Sequence, residues 1–152
     1  MSEFSITSPE FEEGGEIPKK FGYKHGNETP CIELHNVPEN VRTVALIMDD
    51  PDAMAAVGKV WVHWLVLGTI QGFPDNADLR RRGMTDFGEI GYGGPAPPDG
   101  RHTYIFKVYG LDTKPDLKEG FSKQELEDEM KGHIITEAKP VSYTHLTLPT
   151  KA

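Results

Sequence analysis

Apolar runs in this chain are short, and glycine or proline cuts each of them off. Sixteen glycines and twelve prolines in 152 residues leave little room for long helices and favour an all-β core. Three runs read as strands. Thr43 to Met48, apolar from Val44 on, reads as a buried strand. Val60 to Thr69 is apolar on both faces, which places it centrally in a sheet. Thr103 to Leu111 is rich in Tyr, Phe, Ile and Val, the residues that fit a pleated surface. A helix is expected late in the chain. Ser122 and Glu125 form a capping box, and Leu126, Met130 and Ile134 follow at helical spacing. Gly132 interrupts that pattern and marks a break or a packing constraint. A further short helix is expected within Met54 to Gly58 or Asn76 to Arg82.

Length and charge bound the rest. A chain of 152 residues fits one domain with a real core. No apolar run approaches the roughly 20 residues of a membrane span. Met1-Ser2-Glu3-Phe4 carries neither a basic nor an apolar leader region, so a cytoplasmic protein is expected. A formal net charge of -8 makes nucleic acid a poor partner, because binding phosphates needs a basic surface. The one basic run, Arg80-Arg81-Arg82, reads as a solvated loop, with an anionic surface or acidic partner as the sharper alternative. Cys31 is the single cysteine, which excludes an internal disulfide and a cysteine-rich zinc site. Pro140 to Ala152 has no periodicity tied to what precedes it. It resembles the translated sequencing-adapter tail found at the ends of some assembled reading frames. The domain is therefore placed at residues 1–139, and residues 140–152, with Tyr143 and His145, are set aside as a non-native tail.

Polar chemistry gathers at the strand ends. Asp49-Asp50-Pro51-Asp52-Ala53 ends the first strand, Val62-His63-Trp64 opens the second, and Gly91 to Tyr104 leads into the third. Side chains alternate across a strand, so His102 and Tyr104 share a face, and His63 shares one with Trp61 and Leu65. A single imidazole on an apolar face is most often a satisfied core histidine. Two of them, in the same strand context as an Asp pair, point to one polar pocket. Gly91-Tyr92-Gly93-Gly94-Pro95-Ala96 fits the permissive dinucleotide pattern, but Pro95, Pro97 and Pro98 prevent the helix that must follow. No cofactor is expected. A rigid loop with N–H groups turned to an anion and a purely structural turn both remain open. A metal held by Asp50, Asp52, His63 and His102 is chemically feasible, though no tight ligand spacing supports it. No G-x-S-x-G, H-E-x-x-H or P-loop occurs, and no nucleophile is evident.

Read in order, these segments resemble the phosphatidylethanolamine-binding protein (PEBP) family, also called Raf kinase inhibitor-like, in its bacterial and archaeal branch. The resemblance rests on Asp50-Pro51-Asp52-Ala53, Val62-His63-Trp64, Asp86-Phe87-Gly88, Gly91 to Pro95 and His102-Thr103-Tyr104, and runs from about Phe11 to Lys139. The sequence departs from the family at Met54 (usually Pro), Ala96 (usually Cys) and Thr103 (usually Arg). The change at Ala96 argues against thiol chemistry. The resemblance implies a mainly β, antiparallel Greek-key fold with a large central sheet, a small second sheet and peripheral helices. It also implies a pocket for phosphate-like anions, including a phospholipid headgroup, lined by Asp50, Asp52, His63, Gly94, Pro95, His102 and Tyr104. A binding or regulatory module is expected, with a kinase or protease partner by fold analogy only. A hydrolase using the pocket histidines is the alternative. The oligomeric state stays open, a homodimer included.

Overall fold

The computed structural model describes residues 3–10, 12, 14–23, 27–54, 58–70, 73, 79–95, 101–138 and 140–146. Strands β1 (Ser5–Thr7) and β2 (Glu33–His35) make a small antiparallel sheet. The large sheet contains β3 (Thr43–Asp50), β4 (Trp61–Gly68), β5 (Arg80–Arg82), β6 (Arg101–Leu111), β7 (Ile134–Glu137) and β8 (Val141–Leu146). Its order is β5-β4-β3-β6-β7, and β8 also pairs with β6. All these pairings are antiparallel. Strands β3 to β5 follow one another across the sheet, and β6 then returns to lie beside β3. This is the Greek-key arrangement.

Strand β3 explains why the sheet is stable. All eight of its residues are buried, and their side chains serve two cores. Val44, Leu46 and Met48 pack with Trp64, Tyr104 and Phe106 on one face. Ala45 and Ile47 pack with Leu65, Leu67, Phe121 and Leu126 on the other. Each fully buried aliphatic side chain contributes about 1.5–3 kcal/mol from lost apolar exposure. Burial on both faces is what the unbroken apolar run Val44 to Met48 requires.

Helix α1 (Lys123–Met130) starts as the sequence reads. The Ser122 hydroxyl accepts from the Glu125 N–H at 3.0 Å, and the Glu125 carboxylate accepts from the Ser122 N–H at 3.0 Å. Leu126 and Met130 are buried beneath the sheet. Ile134 is a correction. The helix stops at Met130, Gly132 turns the chain with φ +84, and Ile134 begins β7 with its side chain exposed.

Arg80–Arg82 is a second correction, both to the solvated loop and to a helix reaching Arg82. It is strand β5, paired with Val66–Gly68. The outer side of Arg82 is bound by Glu119, whose carboxylate takes the Arg82 N–H, Nε and Nη2. Burial pulls the Glu119 carboxyl up, but these bonds and the Arg80 charge outweigh it and hold it below its usual range. Asn76 to Asp78 lie outside the described residues. Near Met54 the alternative helix shows one i-to-i+4 bond, Gly58 N–H to the Met54 carbonyl at 3.0 Å. Part of the segment set aside as a tail is placed: β8 pairs with β6 from Arg101 to Phe106. Among the described residues no helix is long and apolar enough to cross a membrane.

Candidate functional site

The site is built where β3 ends and β4 begins. Met48 pairs with Trp64, but the next residue, Asp49, pairs with Val62. His63 is therefore an extra residue in β4, a β-bulge. Such an insertion re-aims a side chain and leaves backbone groups to be satisfied outside the ladder. Asp86 satisfies those of Val62. Its carboxylate accepts from the Val62 N–H at 2.7 Å and its own N–H donates to the Val62 carbonyl at 3.0 Å. Lys59 holds the other carboxylate oxygen at 2.8 Å.

The bulge splits the face expected for His63: Trp61 stays with it, since both rings meet Phe87 edge to face, and Leu65 does not. Leu65 belongs to the core on the helix side, whereas Trp64 and Tyr104 belong to the opposite core. His63 lies with Tyr104, their rings edge to face at 5.1 Å. Phe87 closes on the imidazole from another direction at 5.4 Å, and itself stacks on Tyr23 at 4.0 Å. His63 is 2% exposed. Burial, the largest influence, lowers its pKa against the opposing pull of the Gly93 carbonyl and Asp50.

His102 and Tyr104 do share a face, both buried with Phe106 and Val108 behind them. Asp50, the last residue of β3, turns to the same side. Its Oδ2 lies 2.7 Å from His102 Nδ1, with both side chains almost wholly buried. When the imidazole carries two protons this contact is an ion pair, and when it carries one the Nδ1–H donates to the carboxylate. The other Asp50 oxygen accepts from the Asp52 N–H at 2.9 Å. Asp52 is exposed, and its carboxylate accepts from the Thr103 N–H at 2.7 Å. Asp52 thus ties the turn after β3 to the start of β6.

Gly93, Gly94 and Pro95 frame the site, with their backbone turned to the protein. Gly93 and His63 clasp each other: the Gly93 N–H donates to the His63 carbonyl at 2.8 Å, and His63 Nδ1 lies 2.6 Å from the Gly93 oxygen. The Gly94 N–H donates to Asn27 Oδ1 at 2.7 Å, and the Pro95 carbonyl accepts from the Tyr23 N–H at 3.0 Å. The N–H groups of Gly93 and Gly94 are thus engaged inside the protein, which at these two residues favours the structural turn of the two readings left open by the sequence. Glycine is needed for close approach. A Cβ on Gly94 would stand 1.8 Å from the Phe21 carbonyl oxygen, and one on Gly93 would stand 2.5 Å from the Phe87 ring. Ala96 and the prolines after it lie outside the described residues.

Sequence reasoning missed Asn27, Phe87 as a wall of the site, and Asp86 as the clasp of the bulge. Asn27 was visible only as part of an Asn-x-Thr triplet. Its roles depend on a positive φ of 51 and on a loop 65 residues away, which no local signal reports. Among the described residues no three acidic, histidine or cysteine side chains are placed to hold a metal ion. The groups around His63 (Asp50, His102, Tyr104 and Phe87) include no serine, cysteine or lysine.

A Greek-key sheet with a buried Asp–His pair, a second histidine on a bulge and a Gly-Gly-Pro clasp defines a recognisable class of protein. The sequence profile of the phosphatidylethanolamine-binding protein family matches residues 7–143, and the chain belongs to that family. A UPF0098 protein of Methanothermobacter thermautotrophicus is 38% identical over 139 residues, covering 85% of this chain and 90% of its own. The crystal structure of a putative phosphatidylethanolamine-binding protein homologue from Chlamydia trachomatis superposes with TM-score 0.81 at 30% identity, covering 97% of this chain and 99% of that one. The Escherichia coli protein YbcL, described as a new member of the mammalian PEBP family, gives TM-score 0.82 at 26% identity, covering 97% of this chain and 100% of its own.

Proposed function

We propose that this protein is a binding module for phosphate-bearing anions, held on the face shared by Asp50, His63, His102 and Tyr104. The observation that carries this reading is the buried Asp50–His102 contact of 2.7 Å beside a second buried imidazole. Burying one carboxylate and two histidines at the end of an otherwise apolar core costs free energy that aliphatic side chains would avoid. Such an expense is expected where a polar ligand is received. His102 supplies donor capacity, and the Asp50 carboxylate orients its ring. Regulation of a kinase or protease partner through this site extends the proposal and rests on family membership alone.

The carboxylates repel a fully ionised phosphate. Binding of inorganic phosphate and of O-phosphoethanolamine is therefore expected to be stronger at pH 6 than at pH 8. Titration calorimetry at both values is the measurement, with His102→Ala as the weakened variant. Equal or stronger binding at pH 8 would sink the reading. Turnover of a phosphomonoester by the wild type, lost in His63→Ala, would replace it with an enzyme.

A further inference from the structure

A groove of about 250 Å³ opens at the other end of the large sheet, where β3 starts, β4 ends and β5 starts. It lies on the face that α1 covers, away from Asp50 and His102. Local contacts build it. The Thr43 hydroxyl, on the first residue of β3, donates to the Thr113 carbonyl at 2.7 Å. That bond lays the chain after β6 across the sheet, and Leu117 packs against the core that holds Leu67. Both leucines line the groove, and so does Leu79, which is 42% exposed. Arg81 is the cross-strand partner of Leu67, so the two share a face.

The charges in the lining are uneven. Arg81 and Lys114 are both exposed, and Arg81 gives one N–H to the Arg80 carbonyl at 3.3 Å. Among the described residues neither of the two has a carboxylate within ion-pair distance. Arg80 also lines the groove, but Glu119 stands 3.9 Å from it. Asp116 is the opposing acid, and the two unpaired cations outnumber it. Thr69 completes the lining, and its hydroxyl is buried without a hydrogen-bond partner. A donor left in that state costs free energy, which an acceptor oxygen in the groove would recover after rotation about the Cα–Cβ bond. Apolar walls beneath two free cations and an orphan donor suit one kind of occupant. An inorganic ion gains nothing from the leucines, and a plain hydrocarbon gains nothing from the cations. The volume lies just below the roughly 300–1,000 Å³ of sites for drug-sized molecules, so the occupant is small.

We propose that this groove is a second binding site, for a small amphiphilic carboxylate. Its head sits on Arg81 and Lys114, where a guanidinium and an ammonium both donate to carboxylate oxygens. Its hydrocarbon part lies along Leu67, Leu79 and Leu117, where each methylene taken from water adds to the affinity. The site shares no residue with the face of Asp50, His63, His102 and Tyr104, so it stands or falls independently of the phosphate reading.

The experiment uses the full chain at pH 7 with octanoate as the probe, and butanoate, 1-octanol and octylamine for comparison. A buried methylene is worth about fourfold in affinity, so butanoate should bind at least about tenfold more weakly than octanoate. Loss or reversal of the charged head should weaken 1-octanol and octylamine by about tenfold or more, the scale of a hydrogen bond to a charged group. Carbon-13 methyl spectra should show octanoate shifting Leu67, Leu79 and Leu117, with the His102 ring signals unmoved. Arg81→Gln with Lys114→Gln should weaken octanoate by about tenfold or more and leave 1-octanol as in the wild type. The inference falls if 1-octanol or octylamine matches octanoate, or if the three leucines do not respond. It also falls if the His102 signals shift in their place, which would put the carboxylate on the other face. Octanoate binding that is unchanged in the double variant, or absent at millimolar concentration in the wild type, overturns it too. The probe series and the spectra of the wild type decide the matter even if the variant does not fold.

Discussion

One inserted residue decides which neighbours on β4 share a face with His63. Strict alternation put it with Trp61 and Leu65; Trp61 stays, both rings meeting Phe87, and the count on the partner strand shows why Leu65 does not. Two residues of β3, Met48 and Asp49, oppose three of β4, Val62 to Trp64. A bulge is defined by its partner's register, so no periodicity within β4 alone reveals it. His102 and Tyr104 lie in an unbulged stretch, and there alternation was enough. The consequence for stability has a definite sign. The folded pKa of His63 lies below the unfolded value of about 6.5, so between the two the unfolded chain binds more protons. Its contribution is full above about pH 6.5 and is lost as pH falls through that window toward the folded value. Urea denaturation of wild type and His63→Asn at pH 7.5 and 5.5 should show the wild type losing stability relative to the variant on acidification. An unchanged difference contradicts this. Gly94 makes a second test. Its glycine reads in the sequence as room for a ligand, but the approach is of backbone to backbone, since a Cβ would meet Phe21 oxygen at 1.8 Å. Gly94→Ala should cost about 1–3 kcal/mol or more in thermal or urea denaturation, as overpacking does.

At the scale of elements, legibility followed local chemistry. The start of helix α1 was readable because Ser122 and Glu125 cap each other within one turn. Its end was readable only as an interruption at Gly132. The periodicity that carried on to Ile134 was accidental, because a positive φ at Gly132 sends the chain into β7. Strand β5 was not readable at all. Three arginines have no strand signature, and what makes them a strand is pairing with β4 on one side and Glu119 on the other. Glu119 is 37 residues away in sequence, so only the folded sheet brings it there. Strand β8 shows the same limit from another side. A sheet edge offers main-chain bonds to any extended segment, whatever its sequence. Ser122→Ala should cost α1 about 1 kcal/mol, the usual worth of a cap. Thermal denaturation measures it, and a change of less than about 0.3 kcal/mol, well under the range for lost caps, would show that packing of Leu126 and Met130 alone fixes the helix start.

For the whole molecule, the order of separate motifs carried more information than any one of them. Asp50-Pro51-Asp52, Val62-His63-Trp64 and His102-Thr103-Tyr104 lie on β3, β4 and β6, adjacent strands of one sheet. Their linear order told of a family, and the sheet order explains their convergence. The adjacent aspartates at the end of β3 divide the labour between the two faces. Asp50 turns to His102, while Asp49 turns to the helix side, where Lys107 of β6 and Lys123 of α1 hold its Oδ2 at 3.1 and 3.4 Å. Asp49 is 1% exposed, so this triad joins a central strand, its neighbour and the helix directly behind the face that carries Asp50 and His102. Removing both amines leaves a buried carboxylate without a cation. Lys107→Met with Lys123→Met should therefore destabilise the protein, toward the low end of the roughly 3–5 kcal/mol of a broken buried pair, because both amines are partly in water. Adding Asp49→Asn to that double variant should recover most of the loss, since the uncompensated charge is then gone. Denaturation of the four proteins (wild type, double, triple and Asp49→Asn alone) separates the pair from simple packing. If the triple variant is no more stable than the double, the stems of the two lysines and not their charges hold the helix to the sheet.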